Sequence, residues 1–185
     1  MPQQEKVEII SIEWDGPFSY EGIENELHLK NCPEDRGLYQ IYCNHDSPNT
    51  LMYIGRTQAS YGFRGRIEVK SDWLSWEAYD PEIFVGRLRS LEPDDDYATL
   101  LARAELFLIY FCSPPVNKHC KMAFEAVSAE PNTVVINYKK RFRLPYVVSN
   151  LTEKPHIYER ISAHAAVGKT LEKAEDDNPI DALHR

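Results

Sequence analysis

Two tyrosines, each in a glycine-containing triplet, are the residues of this chain best suited to share a chemical site. The triplets Gly37-Leu38-Tyr39 and Tyr53-Ile54-Gly55 fall in strand-forming runs at 37–43 and 50–55. A loop composition at 44–49 separates the runs, so the pattern predicts two adjacent antiparallel strands. Because side chains alternate between the faces of a strand, one phenol from each strand can point into a shared site. A phenol has a pKa of about 10, so it needs a nearby cation to act as a base at neutral pH.

A glutamate inside an apolar helix is the second chemically informative residue. A helix is predicted over Tyr97–Cys112, and its residues 100–111 are apolar nearly all round, which predicts burial. Burial of a carboxylate is costly unless a cation pairs with it, so we expect a cation opposite Glu105. Arg103 is not that partner, because residues two apart on a helix do not face each other. A Mg²⁺ or Mn²⁺ ion suits the position, and the alternative is a glutamate on a narrow solvent-facing stripe.

The order of these residues resembles the signature of the GIY-YIG nuclease superfamily. In that family two tyrosines on a β-hairpin share a site with an arginine on the next helix and a glutamate on a later one. Here an arginine-bearing helix is expected at 63–70 and a third strand at 82–88. Asn117 follows Glu105 behind two prolines, as in the last motif of the family. The resemblance covers about residues 37 to 117 and rests on four motifs in the same order.

The resemblance implies a divalent-metal-dependent endonuclease that hydrolyses phosphodiester bonds of DNA, with RNA not excluded. Tyr39 is the expected general base, and Tyr53 orients the attacking water or a phosphate oxygen. Arg66 holds the phosphate as a fork of donors, and Glu105 holds Mg²⁺ or Mn²⁺. Arg66 is preferred to Arg64 because an apolar residue follows it, whereas Arg64 precedes a glycine, which weakens a helix.

Four further residues have supporting roles in this interpretation. Gly55 belongs to the second triplet, and Arg56 can stabilise a phenolate. Asn117 is expected to hydrogen bond to the hairpin backbone and to hold the Glu105 helix against it. Lys70 departs from the family pattern, since many members have a histidine four residues after the arginine. A lysine contacts phosphate but does not accept a proton near neutral pH, which puts the assisting role in doubt.

The charge of the chain is distributed unevenly. The formal net charge is -8, yet residues 37–150 contain thirteen acidic and thirteen basic residues, and the excess acid lies in the terminal segments. Phosphate contacts depend on local charge, so a basic face remains compatible with this total. The alternative is a set of scattered, solvated cations. The residues expected to contact nucleic acid are Arg64, Arg87, Lys118, Lys139, Lys140 and Arg141, and Arg89 and Arg143 would extend the same face.

The predicted fold is an α/β (α+β) domain in which helices flank a small central mixed or antiparallel sheet. Residues 1–36 form an N-terminal extension, with a strand at 7–14 that ends at Asp15-Gly16-Pro17 and a short helix at 18–29. Residues 37–120 form the nuclease-like core. Residues 121–160 pack on it and contain a hairpin at 133–138 and 142–148. A helix is expected at 157–173, and residues 161–185 form a polar helical or disordered tail.

Composition sets the remaining expectations. The 185 residues are 43% hydrophobic, enough for one sizeable core, and the four cysteines have no framework spacing, which predicts thiols in a reducing compartment. No basic start leads into a long apolar run, so we expect a cytoplasmic protein without a membrane partner, as a monomer or homodimer. Two alternatives have the same fold: a nucleic-acid-binding module without turnover, and a protein-interaction domain whose tyrosines are core residues.

Overall fold

The computed structural model describes residues 6–19, 35–44, 48–57, 62–68, 80–89, 95–117 and 124–151. Lys70, Lys118 and the helix predicted from 157 lie outside these residues. The strands are β1 Glu8–Ser19, β2 Leu38–Cys43, β3 Thr50–Arg56, β4 Glu82–Arg89, β5 Thr133–Lys139 and β6 Val147–Ser149. The helices are α1 Phe63–Glu68, α2 Tyr97–Cys112 and α3 Phe124–Ala129.

The six strands form one mixed sheet in the order β3-β2-β4-β1-β5-β6. β1 and β5 are parallel, and the other neighbouring strands are antiparallel. The predicted N-terminal strand therefore joins the centre of the sheet, between β4 and β5. This arrangement confirms the predicted mixed sheet and places β3 at one of its edges.

β1 is longer than predicted, because the turn-like residues at 15–17 do not end it. The register to β4 shifts between Asp15 and Phe18, and the strand then continues to Ser19. A proline is compatible with a strand at such a bulge. Phe18 is buried opposite Ile83, so the predicted helix start at this residue is wrong, and the rest of that predicted helix lies outside the described residues.

Alternate residues of β2 contribute to two separate cores, one on each face of the sheet. Leu38 and Tyr42 pack in the core that includes α2, whereas Tyr39 and Ile41 pack in the core that includes α1. The sheet is therefore covered by helices on both faces, as predicted. We call these the α2 face and the α1 face.

The observed bounds of α2 coincide with those predicted from the sequence. Asp96 caps the start by accepting hydrogen bonds from the backbone N–H groups of Ala98 at 3.1 Å and Thr99 at 3.4 Å. At the other end Ser113 is left-handed and donates its N–H to the Ile109 carbonyl at 2.8 Å. Neither α2 nor the two shorter helices of the described residues has the length and apolar run needed to cross a bilayer.

The C-terminal hairpin is confirmed, with a shorter second strand than predicted. β5 spans Thr133–Lys139, but β6 begins only at Val147. The reason is that Phe142, expected at the start of the strand, has a φ of 54° and belongs to a loop that crosses the α2 face. Within this extension, α3 was not predicted, because a six-residue helix shows no periodic pattern.

Candidate functional site

The pairing of β2 with β3 brings the two tyrosines together. Tyr39 lies opposite Gly55, and Ile41 lies opposite Tyr53, so both phenols are on the α1 face. Their ring centroids are 5.9 Å apart with an interplanar angle of 31°. Tyr39 is buried and Tyr53 is half-buried. The structure thus has the shared tyrosine site that strand alternation predicts.

Gly55 makes room for this pair of rings. A Cβ atom at this position would lie 2.6 Å from Cζ of Tyr39, 2.6 Å from Cε1 of Tyr53 and 2.7 Å from the Tyr39 hydroxyl oxygen. Any side chain at this position would displace the two rings, because the Tyr39 ring lies directly against the glycine backbone. The glycine of the second triplet therefore has a packing role in the site.

Gly55→Ala should destabilise the protein by about 1–3 kcal/mol, because the added methyl group overpacks the tyrosine site. Chemical denaturation followed by circular dichroism measures this change. In a Tyr39→Leu background the Gly55→Ala cost should be smaller, since the clashing ring is gone and the two changes are coupled. Additive costs of the two substitutions would contradict the proposed contact.

Helix α1 places Arg66 beside the tyrosines. Phe63 and Ile67 of this helix are buried in the same core as Tyr39, which fixes the orientation of the helix. The positive charge of Arg66 lowers the pKa of both Tyr39 and Glu105. Its Nε atom is buried and makes no hydrogen bond to any residue that the structure describes. A buried donor of this kind favours an anionic or acceptor ligand at the site.

Glu105 has the expected cation opposite it, and this cation is Arg56. The Arg56 Nε atom lies 2.8 Å from Glu105 Oε2, and the side chains are 42% and 22% exposed, respectively. Burial raises the pKa of Glu105, although the charge and hydrogen bonds of Arg56 and the charge of Arg66 oppose this effect. The rise shows that desolvation of the carboxylate outweighs the ion pair.

Asn117 ties the region after α2 to the free edge of β3. Its Oδ1 accepts a hydrogen bond from the Ile54 N–H at 2.9 Å, and its Nδ2 donates one to the Ile54 carbonyl at 2.7 Å. The Val116 N–H also donates to the Met52 carbonyl at 3.1 Å. The Arg56 backbone forms a further hydrogen bond with Glu105. Asn117 therefore makes the backbone contact expected of it and holds the Glu105 helix beside the edge strand.

The environment of Tyr39 opposes its ionisation. Burial raises the pKa of Tyr39, and the phenol of Tyr53 and the carboxylate of Glu105 raise it further. Arg66 acts in the opposite direction through its positive charge. Tyr39 is consequently protonated at neutral pH in this state of the protein, and additional positive charge is needed to make it a base.

Among the residues that the structure describes, Glu105 supplies a carboxylate that a metal ion could bind at this site. Mg²⁺ is commonly held by one or two protein carboxylates, with water and phosphate oxygens in the remaining positions, so this donor suits it. The described residues contain no group of three or more histidine, cysteine, aspartate or glutamate side chains that would hold a metal on its own. A metal at Glu105 would also have to share the carboxylate with Arg56.

Among the described cations expected to contact nucleic acid, Arg87, Arg89, Lys139 and Lys140 pair with acidic residues. Arg87 donates to the Asp35 carboxylate at 3.0 and 2.7 Å, and Glu13 pairs with Lys139 at 2.9 Å and with Arg89 at 2.7 Å. In the connection between β5 and β6, Lys140 lies 3.4 Å from Asp15, and Arg141 donates to a backbone carbonyl, that of Leu144. Arg64 is half-buried on α1.

Sequence reasoning missed two residues that anchor the site. Thr57 is buried, and its hydroxyl accepts a hydrogen bond from the Gly37 N–H at 2.9 Å, which joins the ends of the two triplet-bearing strands. The Asp35 carboxylate accepts hydrogen bonds from Arg87. The Asp35 backbone carbonyl accepts a hydrogen bond from the Phe63 N–H at 3.0 Å, at the start of α1. Neither residue carries a local sequence signal, because both contacts are long-range.

Comparisons with known proteins add no assignment to this geometry. No family model matches the chain, and no curated protein or solved structure matches it either. The residues of the site and their contacts therefore supply the arguments for its function.

Proposed function

We propose that this protein is a divalent-metal-dependent endonuclease that hydrolyses phosphodiester bonds of DNA. The observation that carries the proposal is the arrangement of side chains from two strands and two helices: the rings of Tyr39 and Tyr53 lie 5.9 Å apart, the Arg66 Nε atom is buried, and Glu105 pairs with Arg56 at the end of β3. Tyr53 and Glu105 raise the pKa of Tyr39, and Arg66 lowers it. In this arrangement a phenol would serve as the base and the guanidinium would bind the anion. The carboxylate would be the metal ligand.

Each residue has one task in the proposed reaction. The Tyr39 phenolate takes a proton from the attacking water, and Tyr53 orients that water or a phosphate oxygen. The new bond forms between the water oxygen and phosphorus while the bond to the leaving oxygen breaks. Arg66 balances the negative charge that develops on the phosphate, using the buried Nε–H noted above.

Glu105 would hold the metal ion. A bound Mg²⁺ or Mn²⁺ supplies positive charge that polarises the phosphate and stabilises oxyanions at the site. Glu105 is 22% exposed and thus accessible from solvent at one side. Arg56, which is 42% exposed, can swing away into solvent and leave the carboxylate to the metal.

Incubation of the purified protein with supercoiled plasmid and Mg²⁺ or Mn²⁺ tests the proposal. Conversion to open-circular or linear DNA that requires the divalent ion and stops with EDTA is the expected result. Fragments of labelled linear duplex would then give the position of the cuts. Absence of cleavage with either ion, on both plasmid and single-stranded DNA, would contradict the proposal.

One observation favours the alternative of a module with the same fold and no turnover. Arg56 already supplies the cation that the Glu105 carboxylate needs, at 2.8 Å, so burial of this carboxylate does not require a metal. Such a module would bind nucleic acid or a protein through the same surface. It would leave the plasmid uncut with either ion.

Arg56→Met should strengthen divalent-ion binding, because it removes the cation that competes for Glu105. The pair is partly exposed, so we expect a modest increase of about two- to five-fold in affinity. Titration with Mn²⁺ followed by electron paramagnetic resonance measures the affinity directly. Arg89→Met is the matched control, since it removes an ion pair with Glu13, which the proposal does not use. Equal Mn²⁺ affinity of wild type and Arg56→Met would show that the two cations do not share the carboxylate.

A further inference from the structure

An exposed aromatic ring lies in the loop between β5 and β6. Phe142 is 41% exposed, although its ring stacks on buried Phe84 with centroids 5.2 Å apart and an interplanar angle of 15°. Buried Tyr42 packs against the same ring edge to face, 4.7 Å between centroids. The two core rings fix the orientation of Phe142, and the residue remains partly exposed to solvent.

The backbone of this loop holds Phe142 in an uncommon conformation. A φ of 54° places it in the left-handed region, which an aromatic residue rarely adopts. The Arg141 N–H donates to the Lys139 carbonyl at 2.7 Å, and the Leu144 N–H donates to the Arg141 carbonyl at 3.1 Å. Buried Gln40 donates its Nε2 to the same Arg141 carbonyl at 3.3 Å. Strained positions that the surrounding structure holds in place are concentrated at functional sites.

The surroundings of the ring are positively charged. Four of the five residues at 139–143 are lysine or arginine, and two of them pair with the carboxylates of Glu13 and Asp15. The loop with its partners therefore keeps a positive charge in a chain whose net charge is -8. The guanidinium of exposed Arg143 is 5.8 Å from the Phe142 centroid, at the outer limit of a cation–π contact.

We propose that Phe142 and the basic residues at 139–143, together the Phe142 loop, form a stacking site for an unpaired base of a nucleic acid. An exposed aromatic ring can stack with a base that is not paired or stacked within a duplex, as a guanidinium does, and adjacent cations bind its phosphates. The ring packs on Tyr42, on the α2 face, whereas Tyr39 points to the α1 face. The loop therefore lies on the face of the sheet opposite to Tyr39. The inference rests on the proposed function in one respect, which is the choice of a nucleic acid as the ligand.

Binding of a labelled single-stranded oligonucleotide tests this site. Fluorescence anisotropy at fixed salt, with EDTA to prevent cleavage, compares the full-length wild type with Phe142→Leu and Phe142→Tyr. Phe142→Leu should weaken binding about five-fold or more, whereas Phe142→Tyr, which keeps an aromatic face, should bind like the wild type. Phe111→Leu is the matched control, because Phe111 is equally exposed, at 43%, on the last turn of α2.

An abasic oligonucleotide of the same length separates stacking from phosphate contacts. Phe142→Leu should bind it as tightly as the wild type does, because the phosphates remain and the bases are gone. Three outcomes would each overturn the proposal. Phe142→Leu could lose the same affinity for both oligonucleotides, Phe142→Tyr could lose as much affinity as Phe142→Leu, or the wild type could fail to bind. The binding result and the cleavage result are independent. Base-dependent binding by a protein that does not cut DNA would support the stacking site and contradict the nuclease. Cleavage by a protein whose binding does not depend on Phe142 would support the nuclease and contradict the stacking site.

Discussion

Glu105→Gln should abolish metal-dependent cleavage, by about a hundred-fold or more, while the protein remains at least as stable as the wild type at neutral pH. The loss follows because an amide is a poor ligand for a divalent cation and carries no charge to hold it. The stability follows from the raised pKa of Glu105. Burial disfavours its charged form in the folded protein even with Arg56 beside it, and glutamine is neutral at every pH.

The sign of the pH dependence follows from the same shift. The pKa of Glu105 is higher in the folded protein than its ordinary value of 4.5, so the folded state favours the protonated acid. The stability that this preference contributes is present below pH 4.5 and is lost as the pH rises through the folded-state pKa. Relative to Glu105→Gln, the wild type should therefore become less stable from pH 4 to neutral pH.

Thermal unfolding at several pH values, with and without Mg²⁺, measures both effects. Mg²⁺ should raise the melting temperature of the wild type and leave that of Glu105→Gln unchanged. Glu130→Gln is the control, because Glu130 pairs with Arg103 away from the site and its loss should affect stability but not cleavage. Full cleavage activity in Glu105→Gln would show that Glu105 is not the metal ligand.

Arg66→Ala should lower kcat/KM by about 30- to 1000-fold, equivalent to roughly 2–4 kcal/mol of transition-state stabilisation. The guanidinium is expected to contact the phosphate as charge develops on it. Removal of Arg66 also removes the charge that lowers the pKa of Tyr39. If Tyr39 is the base, the activity that remains should require a higher pH than in the wild type, because the phenol loses its proton less readily.

Arg64→Ala is the matched control on the same helix, and it should cost much less. Arg66, and not Arg64, is among the main influences on the pKa of Tyr39 and of Glu105. A pH–rate profile of each variant with linear duplex DNA measures the two effects together. Equal losses in the two variants, or a larger loss in Arg64→Ala, would show that the phosphate contact is assigned to the wrong arginine.

Local rules predicted three of the elements that position the site, β2, β3 and α2, whereas the helix that carries Arg66 was expected from the family resemblance. The bounds of α2 were predictable because its residues form one nearly continuous apolar segment, and in the structure Asp96 and Ser113 cap its two ends. Strand alternation in β2 and β3 likewise placed Tyr39 and Tyr53 on one face. The same rules failed at Asp15-Gly16-Pro17, where a turn composition occurs at a bulge in a continuing strand, because pairing with β4 overrides the local preference.

The cations show the limit of reasoning from charge along the chain. The sequence placed Arg87 and Lys139 in a candidate basic face, but Arg87 pairs with Asp35 and Lys139 with Glu13. These partners are close only because β1, β4 and β5 are adjacent in the sheet and the segment before β2 lies beside β4. Strand order is a property of the whole fold, so the neutralisation of these charges was not predictable.

The sequence by itself determined that two phenols share a face and that a carboxylate lies within an apolar helix, because periodicity is a local property of strands and helices. Only the tertiary structure decided which cation pairs with that carboxylate. β3 is an edge strand, and Asn117 fastens the region after α2 along it, so Arg56 at the end of β3 meets Glu105. Desolvation raises the pKa of Glu105 and the ion pair with Arg56 lowers it. The desolvation arises only when the helix packs against the sheet, so the sequence alone does not determine this pKa.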